Sequence, residues 1–431
     1  MRFKLIALLL FVLCQQSWAV AKIENWSTSQ GARVYFVQTP SLPMLDVRIA
    51  FDAGSARDDN RFGLAALTLS MLGNSSGEWS ADQVAERFEA VGALFGNGIS
   101  EDMAWLSLRS LNETALFDKA FDVFKQVVTH PAFAATDFQR EKNLTLAGLK
   151  QREESPAAVA SQAYRKALYP DHPYGHLSDG TLETVNTIEL SQVQDFYKRY
   201  YVAANALVVI VGDASRAQAQ QIAENLLVSL PVGEKPAELP PVVLPDKASM
   251  QQIAFPSTQT HVLSGMPGNY RKDPDYFPLY VGNHILGGGN LVSRLFNEVR
   301  EKRGLAYSAS SQFNPLYRPG PFTLGLQTRN DQTEQALTVM NATLHDFIAD
   351  GPNAKELLAA KQNITGGFAM RVDTNSKLLD YVTMIALYQQ PLDYLDVFQS
   401  KVEAVTAAEI KDAFQRRVKP ELFQTVTVGV K

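Results

Sequence analysis

The sequence repeats itself at long range, and this duplication restricts the folds that the chain can adopt. Each half ends in a strand-like apolar run closed by glycine, and these two residues, Gly212 and Gly429, lie 217 positions apart. Farther upstream, Tyr169 and Tyr388 stand in matching Leu-Tyr pairs, 219 positions apart. A third match, of four residues, lies between the Leu-Tyr pair and the closing glycine of each half. Three matches in nearly constant register predict two copies of one domain.

The residues between the two copies are rich in proline. Proline neither continues a helix nor donates to a sheet, and it favours a semi-rigid, extended chain. We therefore predict a first domain over residues 22–230, a connector over 231–247 and a second domain over 248–431.

Both kinds of secondary structure are predicted in each half. Apolar and polar residues alternate over 45–51, and less cleanly over 105–109, which predicts strands. Apolar residues recur at helical spacing over 115–128 and 334–348. The order is not a regular strand–helix–strand alternation. The predicted fold class is α+β, with two homologous domains that each form a mostly antiparallel sheet backed by helices.

Composition excludes some classes of function. Hydrophobic residues make up 46% of the chain and charged residues 20%, which is typical of a globular protein. The net charge is −5, and no basic stripe with interleaved aromatic residues is visible. We therefore predict that nucleic acid is not a partner.

The first residues have the pattern of a cleaved secretory signal. Two basic residues precede the apolar run 5–13, and small residues follow at Ala19 and Ala21. Nine apolar residues are too few to cross a bilayer, which needs about 20. We predict that residues 1–21 are removed and that the mature chain has no membrane segment. The single cysteine, Cys14, would be lost with them, so no disulfide is expected.

The segment 288–308, GGNLVSRLFNEVREKRGLAYS, is the most distinctive stretch of the chain. Its pattern predicts a helix over Val292–Arg303, a stop at Gly304 and a strand over Leu305–Ser311. The segment resembles the second-half signature of the pitrilysin/insulinase family of zinc metallopeptidases. The resemblance extends over essentially the whole mature chain and implies the same two-domain fold. Together with the signal pattern, it implies a periplasmic location.

The first half lacks the chemistry that this resemblance implies. In the family, an inverted zinc motif, His-x-x-Glu-His, lies on a helix of the first half. Ala66 and Ser70 stand where its two histidines would be, and Leu69 stands at the general base. A further ligand, a glutamate on a later helix, is matched by Ala147. None of these side chains suits zinc or base catalysis. We predict no metal or other cofactor in this chain.

The second half keeps two side chains to which the resemblance assigns a role. They match an arginine and a tyrosine that reach across to the zinc domain in the family, and they are Arg300 and Tyr307. The implied role of Tyr307 is to donate a hydrogen bond to the developing oxyanion, while Arg300 holds a substrate carbonyl or assists the tyrosine. Residue type alone favours another interpretation, in which Arg300 belongs to a solvated helix face and Tyr307 packs in a strand.

Two histidines are spaced four apart, His172 and His176, which invites a metal site. Pro173 and Gly175 between them are incompatible with the α-helix that would align the two rings. We predict a turn here. The four remaining histidines are scattered without ligand spacing.

These features predict an exported, non-metal-binding subunit of a heterodimeric peptidase. A partner of similar size would carry the zinc, this chain would supply Arg300 and Tyr307 in trans, and the substrate would be an extended peptide. Alone, the chain would be inactive. The alternative is a purely structural or peptide-binding member, with a homodimer possible. A solute-binding protein fits the two domains and the signal, but not the segment 288–308.

Overall fold

Two β-sheets, each backed by helices, form the core of the molecule. A computed structural model describes residues 22–430. The predicted signal segment, 1–21, lies outside the described residues. Both sheets are mostly antiparallel, with one parallel strand pair in each. The predicted α+β class is confirmed.

The first sheet has six strands in the order β1-β2-β6-β3-β5-β4. Their bounds are β1 Ile23–Ser27, β2 Arg33–Gln38, β3 Met44–Phe51, β4 Leu94–Ile99, β5 Ala104–Leu111 and β6 Ala206–Gly212. The second sheet has five strands in the order β7-β11-β8-β10-β9. Their bounds are β7 Ser249–Ala254, β8 Gln259–Pro267, β9 Ala306–Phe313, β10 Pro321–Arg329 and β11 Gln424–Gly429.

Within residues 22–430, eight α-helices accompany the first sheet in sequence, and six accompany the second. The first set is α1 Leu64–Met71, α2 Ala81–Glu89, α3 Thr114–Thr129, α4 Ala135–Glu153, α5 Pro156–Leu168, α6 Leu182–Thr187, α7 Leu190–Tyr200 and α8 Arg216–Leu227. The second set is α9 Tyr276–Asn283, α10 Thr333–Asp350, α11 Ala354–Gly366, α12 Asn375–Leu387, α13 Tyr394–Ala404 and α14 Ala407–Arg417. The helices predicted over 115–128 and 334–348 correspond to α3 and α10.

Apart from β1, which has no counterpart in the second sheet, the two sheets share one strand topology. In each, the last strand of the half lies between two earlier strands: β6 pairs with β2 and β3, as β11 pairs with β7 and β8. The neighbours that follow, β5 and β4, match β10 and β9. The sequence repeat ending at Gly212 and Gly429 therefore coincides with a repeat of strand order.

Each half also covers the outer face of the other half's sheet with one helix. Helix α12 of the second half packs on β6 and β3, and helix α5 of the first half packs on β11 and β8. Tyr164 on α5 donates its hydroxyl to the Phe322 carbonyl (3.2 Å) and to Thr323 Oγ1 (3.0 Å) at the start of β10. Because of this exchange of helices, β6 of the first sheet and β11 of the second sheet are covered on both faces.

Strand β3 shows the consequence for the sequence pattern. Alternation over 45–51 is typical of a strand with one face in water, yet every residue from Leu45 to Phe51 is buried. Arg48 points to the second half, where it pairs with Asp380 on α12 (2.7 Å). Its guanidinium also lies 4.2 Å from the centre of the Trp105 ring. The strand is confirmed, but its polar positions serve the contact between the halves.

The connector predicted over 231–247 runs without helix or strand from residue 231 to residue 245. It is not detached from the fold, because Leu239 is buried against both halves. The predicted domain boundaries stay predictions. Within residues 22–430, no helix combines the length and the apolar character that crossing a bilayer requires.

The helix predicted over Val292–Arg303 differs from the structure. A short 3₁₀ turn ends at Val292, Ser293 is extended, and the helix that follows is π-helical over Phe296–Glu301. Ser293 interrupts the helix because its hydroxyl accepts a hydrogen bond from the Phe296 amide (3.4 Å) while donating to the Asn290 carbonyl (2.8 Å). A serine in this position acts as the cap of the second segment.

Candidate functional site

Helix α1, which carries the first-half candidate positions, is fixed at its start by a buried carboxylate. Asp58 is fully buried and accepts hydrogen bonds from the backbone amides of Gly63 (2.8 Å) and Ala65 (2.7 Å). These amides are among the donors that a helix start leaves without intrahelical partners. Burial raises the pKa of Asp58 to about 8. The Asp58 carboxylate therefore fixes the residue at which α1 begins.

The three candidate positions on α1 are occupied by side chains that the fold uses. Ala66 and Ser70 are half-buried and lie on one face of the helix, since they are four residues apart. The Ser70 hydroxyl donates to the Leu67 carbonyl of its own helix (2.9 Å). Leu69 is 4% exposed and belongs to the hydrophobic core of the first half. Leu69 is a packing residue here.

The fourth position, Ala147, lies on α4, which packs against α1. Ala147 is exposed and offers no atom that could hold a metal ion. Over residues 22–430, no three His, Cys, Asp or Glu side chains are grouped so that they could bind a metal ion together. The side chains at the four candidate positions thus do not fit zinc.

The two histidines four residues apart are engaged in packing. They flank a 3₁₀ turn over Pro173–Gly175, which confirms the predicted turn. His172 Nε2 lies 3.0 Å from the Pro240 carbonyl of the connector, and His176 stacks on Phe62 with the ring centres 4.1 Å apart. Burial lowers the pKa of both imidazoles.

In the second half, a tight turn joins the helix that carries Arg300 to the strand that carries Tyr307. The Gly304 amide donates to the Arg300 carbonyl (2.8 Å), and the Leu305 amide donates to the Val299 carbonyl (2.9 Å). Gly304 has a φ of +61°, a backbone conformation that costs glycine little. The predicted stop at Gly304 and the predicted strand after it are both confirmed, the strand as β9.

Tyr307 stands at a bulge in β9. On the neighbouring strand β10, Thr328 is paired with Ala306 and Gln327 is paired with Ser308, so Tyr307 has no partner residue. Both Tyr307 and Ser308 point outward as a result. Bulges redirect side chains and often lie next to active sites. No feature of the sequence indicated this irregularity.

Arg300 and Tyr307 are brought into contact. The Arg300 guanidinium lies 4.5 Å from the centre of the Tyr307 ring and 4.8 Å from that of Phe296, a cation–π arrangement. Tyr307 is 78% exposed, and its hydroxyl forms no hydrogen bond with residues 22–430. Glu301, the nearest carboxylate to Arg300, is 3.9 Å away. The pair thus presents a phenol and a guanidinium whose donor atoms are largely unused by the described chain.

The surrounding charges leave Arg300 available. Glu298 is held by Lys302 (2.5 Å) and by Arg303 (2.7 Å), and these two cations lower the pKa of that carboxyl. The charge run of this helix is therefore partly a solvated face, as the simpler interpretation of the sequence expects. Arg300 differs from Lys302 and Arg303, because it stacks on two aromatic rings and its ion pair with Glu301 is long, at 3.9 Å.

Strand β9 is an edge strand of the second sheet, as β4 is of the first. An edge strand offers backbone N–H and C=O groups to which an extended peptide can add. On β4, Leu94 is 63% exposed. Each half therefore presents one edge at corresponding positions of the duplicated fold, and only the edge of the second half carries the Arg300–Tyr307 pair.

Two family models match this chain. Residues 33–178 match the model of the insulinase family, peptidase family M16, and residues 187–364 match that of the peptidase M16 inactive domain. A crystal structure of a peptidase M16 inactive domain from Pseudomonas fluorescens is 37% identical and superposes with a TM-score of 0.92. The match covers 95% of this chain and 98% of that one.

The chain belongs to the insulinase family, M16. Among curated relatives, the uncharacterized zinc protease YmxG of Bacillus subtilis is 25% identical over 83% of this chain and 86% of its own. The non-peptidase homolog YmxG of Helicobacter pylori is 26% identical over 88% and 87%, respectively. The resemblance drawn from the segment 288–308 is confirmed, and the chain is a non-catalytic member of this family.

Proposed function

We propose that this M16 chain is the exported, non-metal-binding subunit of a two-subunit peptidase. It would supply Arg300 and Tyr307 to an active site whose zinc is held by a partner of similar size. The Arg300–Tyr307 contact carries the proposal: an exposed phenol at a bulge of an edge strand, with a guanidinium 4.5 Å from its ring. A tyrosine that served only packing would be covered by its neighbours, whereas Tyr307 is 78% exposed.

The chemistry of the two side chains suits peptide hydrolysis. In the partner, the metal would polarise the scissile carbonyl and activate water. The Tyr307 hydroxyl can donate a hydrogen bond to the oxygen on which negative charge develops, without giving up its proton. Arg300 stacks on the ring, which restricts the orientation of the phenol, and its N–H groups remain able to hold a substrate carbonyl.

The substrate would be an extended peptide that adds to a sheet edge. Strand β9 has a free edge beside Tyr307, so a peptide bound there would place a backbone carbonyl near the phenol. The strand and the two side chains would form one wall of the site, and the partner's zinc domain would form the other.

Export rests on the sequence of residues 1–21, which have the charge and apolar pattern of a secretory signal. Edman sequencing or intact-mass analysis of the chain purified from its native host should place the mature N-terminus after Ala19 or Ala21. A chain that keeps its initial residues in the cytoplasmic fraction would contradict export.

The central experiment is reconstitution. The chain is used to capture its partner from the native host, and the complex is analysed for zinc and for cleavage of a fluorogenic peptide library. We expect no cleavage by the chain alone, and one zinc per complex, carried by the partner. Tyr307→Phe should lower kcat by on the order of 100-fold, which is typical for loss of one oxyanion donor, while the complex still forms in size-exclusion chromatography.

Arg300→Gln and Arg329→Gln form a matched pair for this experiment. Both arginines lie in the second half, but Arg329 is at the exposed end of β10, paired with Asp331 (3.0 Å). Loss of activity in Arg300→Gln alone supports the proposal. Full activity of both Tyr307→Phe and Arg300→Gln would reject the catalytic role. Capture of only a second copy of this chain would favour the structural, homodimeric alternative.

A further inference from the structure

A cavity of about 510 Å³ lies where the first half, the connector and the second half meet. Strands β2, β3 and β6 supply one wall, connector residues 235–239 supply another, and the loop after β8 with the end of α12 supplies the third. We refer to it as the interface cavity. It is distinct from the Arg300–Tyr307 pair, neither member of which lines it. Its volume suits a small molecule.

The lining of the interface cavity is strongly positive. Six cationic side chains line it, namely Arg33, Arg57, Lys235, Arg271, Lys272 and Arg318. Only two carboxylates join them, Asp52 and Glu238. The lining thus has an excess of four positive charges in a protein whose net charge is −5. Like charges gathered in a cleft create a field that attracts anions.

Both carboxylates are already neutralised. Asp52 accepts two hydrogen bonds from Arg57, at 2.7 and 2.6 Å. Glu238 pairs with Arg318 at 3.1 Å. Within residues 22–430, the remaining four cations have no carboxylate within ion-pair distance. The excess charge therefore belongs to Arg33 and Lys235 on one side of the cavity, and to two neighbouring residues on the other.

Those two residues are Arg271 and Lys272, which follow β8. Arg271 is half-buried, and its Nε atom is buried without a hydrogen-bond partner in the described chain. Its guanidinium lies 5.2 Å from the centre of the Tyr388 ring, which closes the cavity on that side. A buried donor without an acceptor is costly, and a bound anion would supply the acceptor to the guanidinium.

We propose that the interface cavity binds a small polyanion, a molecule with two or more phosphate or carboxylate groups, between Arg33, Lys235, Arg271 and Lys272. Since these residues come from the first half, the connector and the second half, the ligand bridges all three. Binding therefore stabilises their association. This inference concerns the chain by itself and does not depend on a peptidase partner.

Isothermal titration calorimetry of the purified chain with pyrophosphate and with citrate tests the proposal. We expect one site per chain with a dissociation constant below 1 mM, weakening as ionic strength rises. Tighter binding of pyrophosphate assigns the site to phosphate compounds, and tighter binding of citrate assigns it to polycarboxylates. In thermal unfolding, the preferred anion should raise the Tm.

Variants separate this site from the general surface. The double variant Arg271→Gln/Lys272→Gln should weaken binding by about tenfold or more. Lys235→Gln, on an exposed connector residue, should weaken it by about threefold and keeps the test valid if the double variant is unstable. The control is Lys355→Gln on α11, an exposed lysine outside the cavity, which should bind as the unchanged chain does.

Three results would overturn the proposal. The first is no saturable binding of either anion below 1 mM. The second is unchanged affinity in both the double variant and Lys235→Gln. The third is an equal loss in Lys355→Gln, which would reveal an adventitious ion only. None of these assays contains peptide or partner, so failure here leaves the peptidase proposal untouched, and failure of that proposal leaves this one standing.

Discussion

The two halves of this chain share a strand topology but carry different kinds of side chain at their candidate sites. In the first half, Ala66 is a half-buried helix residue and Leu69 belongs to the core. The Ser70 hydroxyl bonds to a carbonyl of its own helix. In the second half, Arg300 and Tyr307 present donors that the described chain does not use.

The difference lies in the burial of these side chains: Leu69 is core in the first half, whereas Tyr307 is 78% exposed in the second. Replacing a core residue lowers the stability of the fold, whereas replacing an exposed tyrosine at a bulge changes it little. The fold gains little from the Tyr307 side chain, which is 78% exposed. Four measurements test this difference between the halves.

Rebuilding metal ligands in the first half should have the largest effect. The triple variant Ala66→His/Ser70→His/Ala147→Glu places three donors on the packed helices α1 and α4. We expect zinc binding with a dissociation constant at or below 1 μM, about 8 kcal/mol of binding free energy. Zinc per chain after dialysis checks this, with Ala147→Glu alone as the control. A triple variant without zinc would show that the scaffold of the metal position has been lost as well.

Truncating the residue at the former base position should cost stability. Leu69 is 4% exposed in the core of the first half, so Leu69→Ala should lower the free energy of unfolding by about 3 kcal/mol. Chemical denaturation measures the difference. Leu144→Ala on α4, where the leucine is 61% exposed, is the control and should change stability little. Equal stability of the two variants would mean that Leu69 is not a packing residue.

A buried carboxylate between the halves should make their association sensitive to pH. Asp102, in the first half, accepts hydrogen bonds from the Tyr388 hydroxyl (2.9 Å) and the Tyr317 amide (2.9 Å) of the second half. Burial raises the pKa of Asp102 to about 6 from 3.8. The folded state then binds the proton more tightly than the unfolded state. The stability from this proton is present below pH 4 and is lost as pH rises through 6.

The expected loss is about 2 kcal/mol between pH 4 and pH 7. The measurement is the free energy of unfolding against pH for the unchanged chain and for Asp102→Asn. The difference between the two curves should carry this slope, because the variant has no proton to lose at residue 102. Parallel curves across this range would show that the carboxyl titrates at its ordinary pKa.

The smallest effect on stability is expected from replacing Tyr307. Tyr307→Phe removes a hydroxyl that bonds to nothing in residues 22–430, so the free energy of unfolding should change by less than about 0.5 kcal/mol. Tyr164→Phe is the matched comparison, since that buried hydroxyl donates to β10, and it should cost about 1–2 kcal/mol. A large loss in Tyr307→Phe would make this tyrosine a structural residue.

Much of this architecture could be predicted from the sequence because it depends on local patterns. Apolar spacing predicted α3 and α10, and the glycine-closed runs located β6 and β11. Ala66 and Ala147 offer no ligand atom and Ser70 offers only a neutral hydroxyl, and residue type alone decides this. The family resemblance of the segment 288–308 was equally local, since it rests on consecutive residues.

Other features escaped the sequence because they depend on partners distant along the chain. The alternation in β3 predicted a strand, but the burial of Arg48 follows from α12, more than 300 residues away. The interruption at Ser293 depends on two hydrogen bonds of its hydroxyl, which helical periodicity does not reveal. The cations of the interface cavity have no motif, since they come from three separate parts of the chain.

The amino-acid sequence was enough to predict a duplicated α+β chain of the M16 type whose first half lacks side chains suited to zinc at Ala66, Ser70 and Ala147. Three features became visible only in the folded chain: Leu69 is core, Tyr307 projects from a bulge against Arg300, and cations of both halves meet in one cavity. The two groups of features differ in how far apart along the chain the interacting residues lie. Residue chemistry and periodicity are written locally, whereas burial, strand register and the field of assembled charges arise from contacts that exist only after the chain has folded.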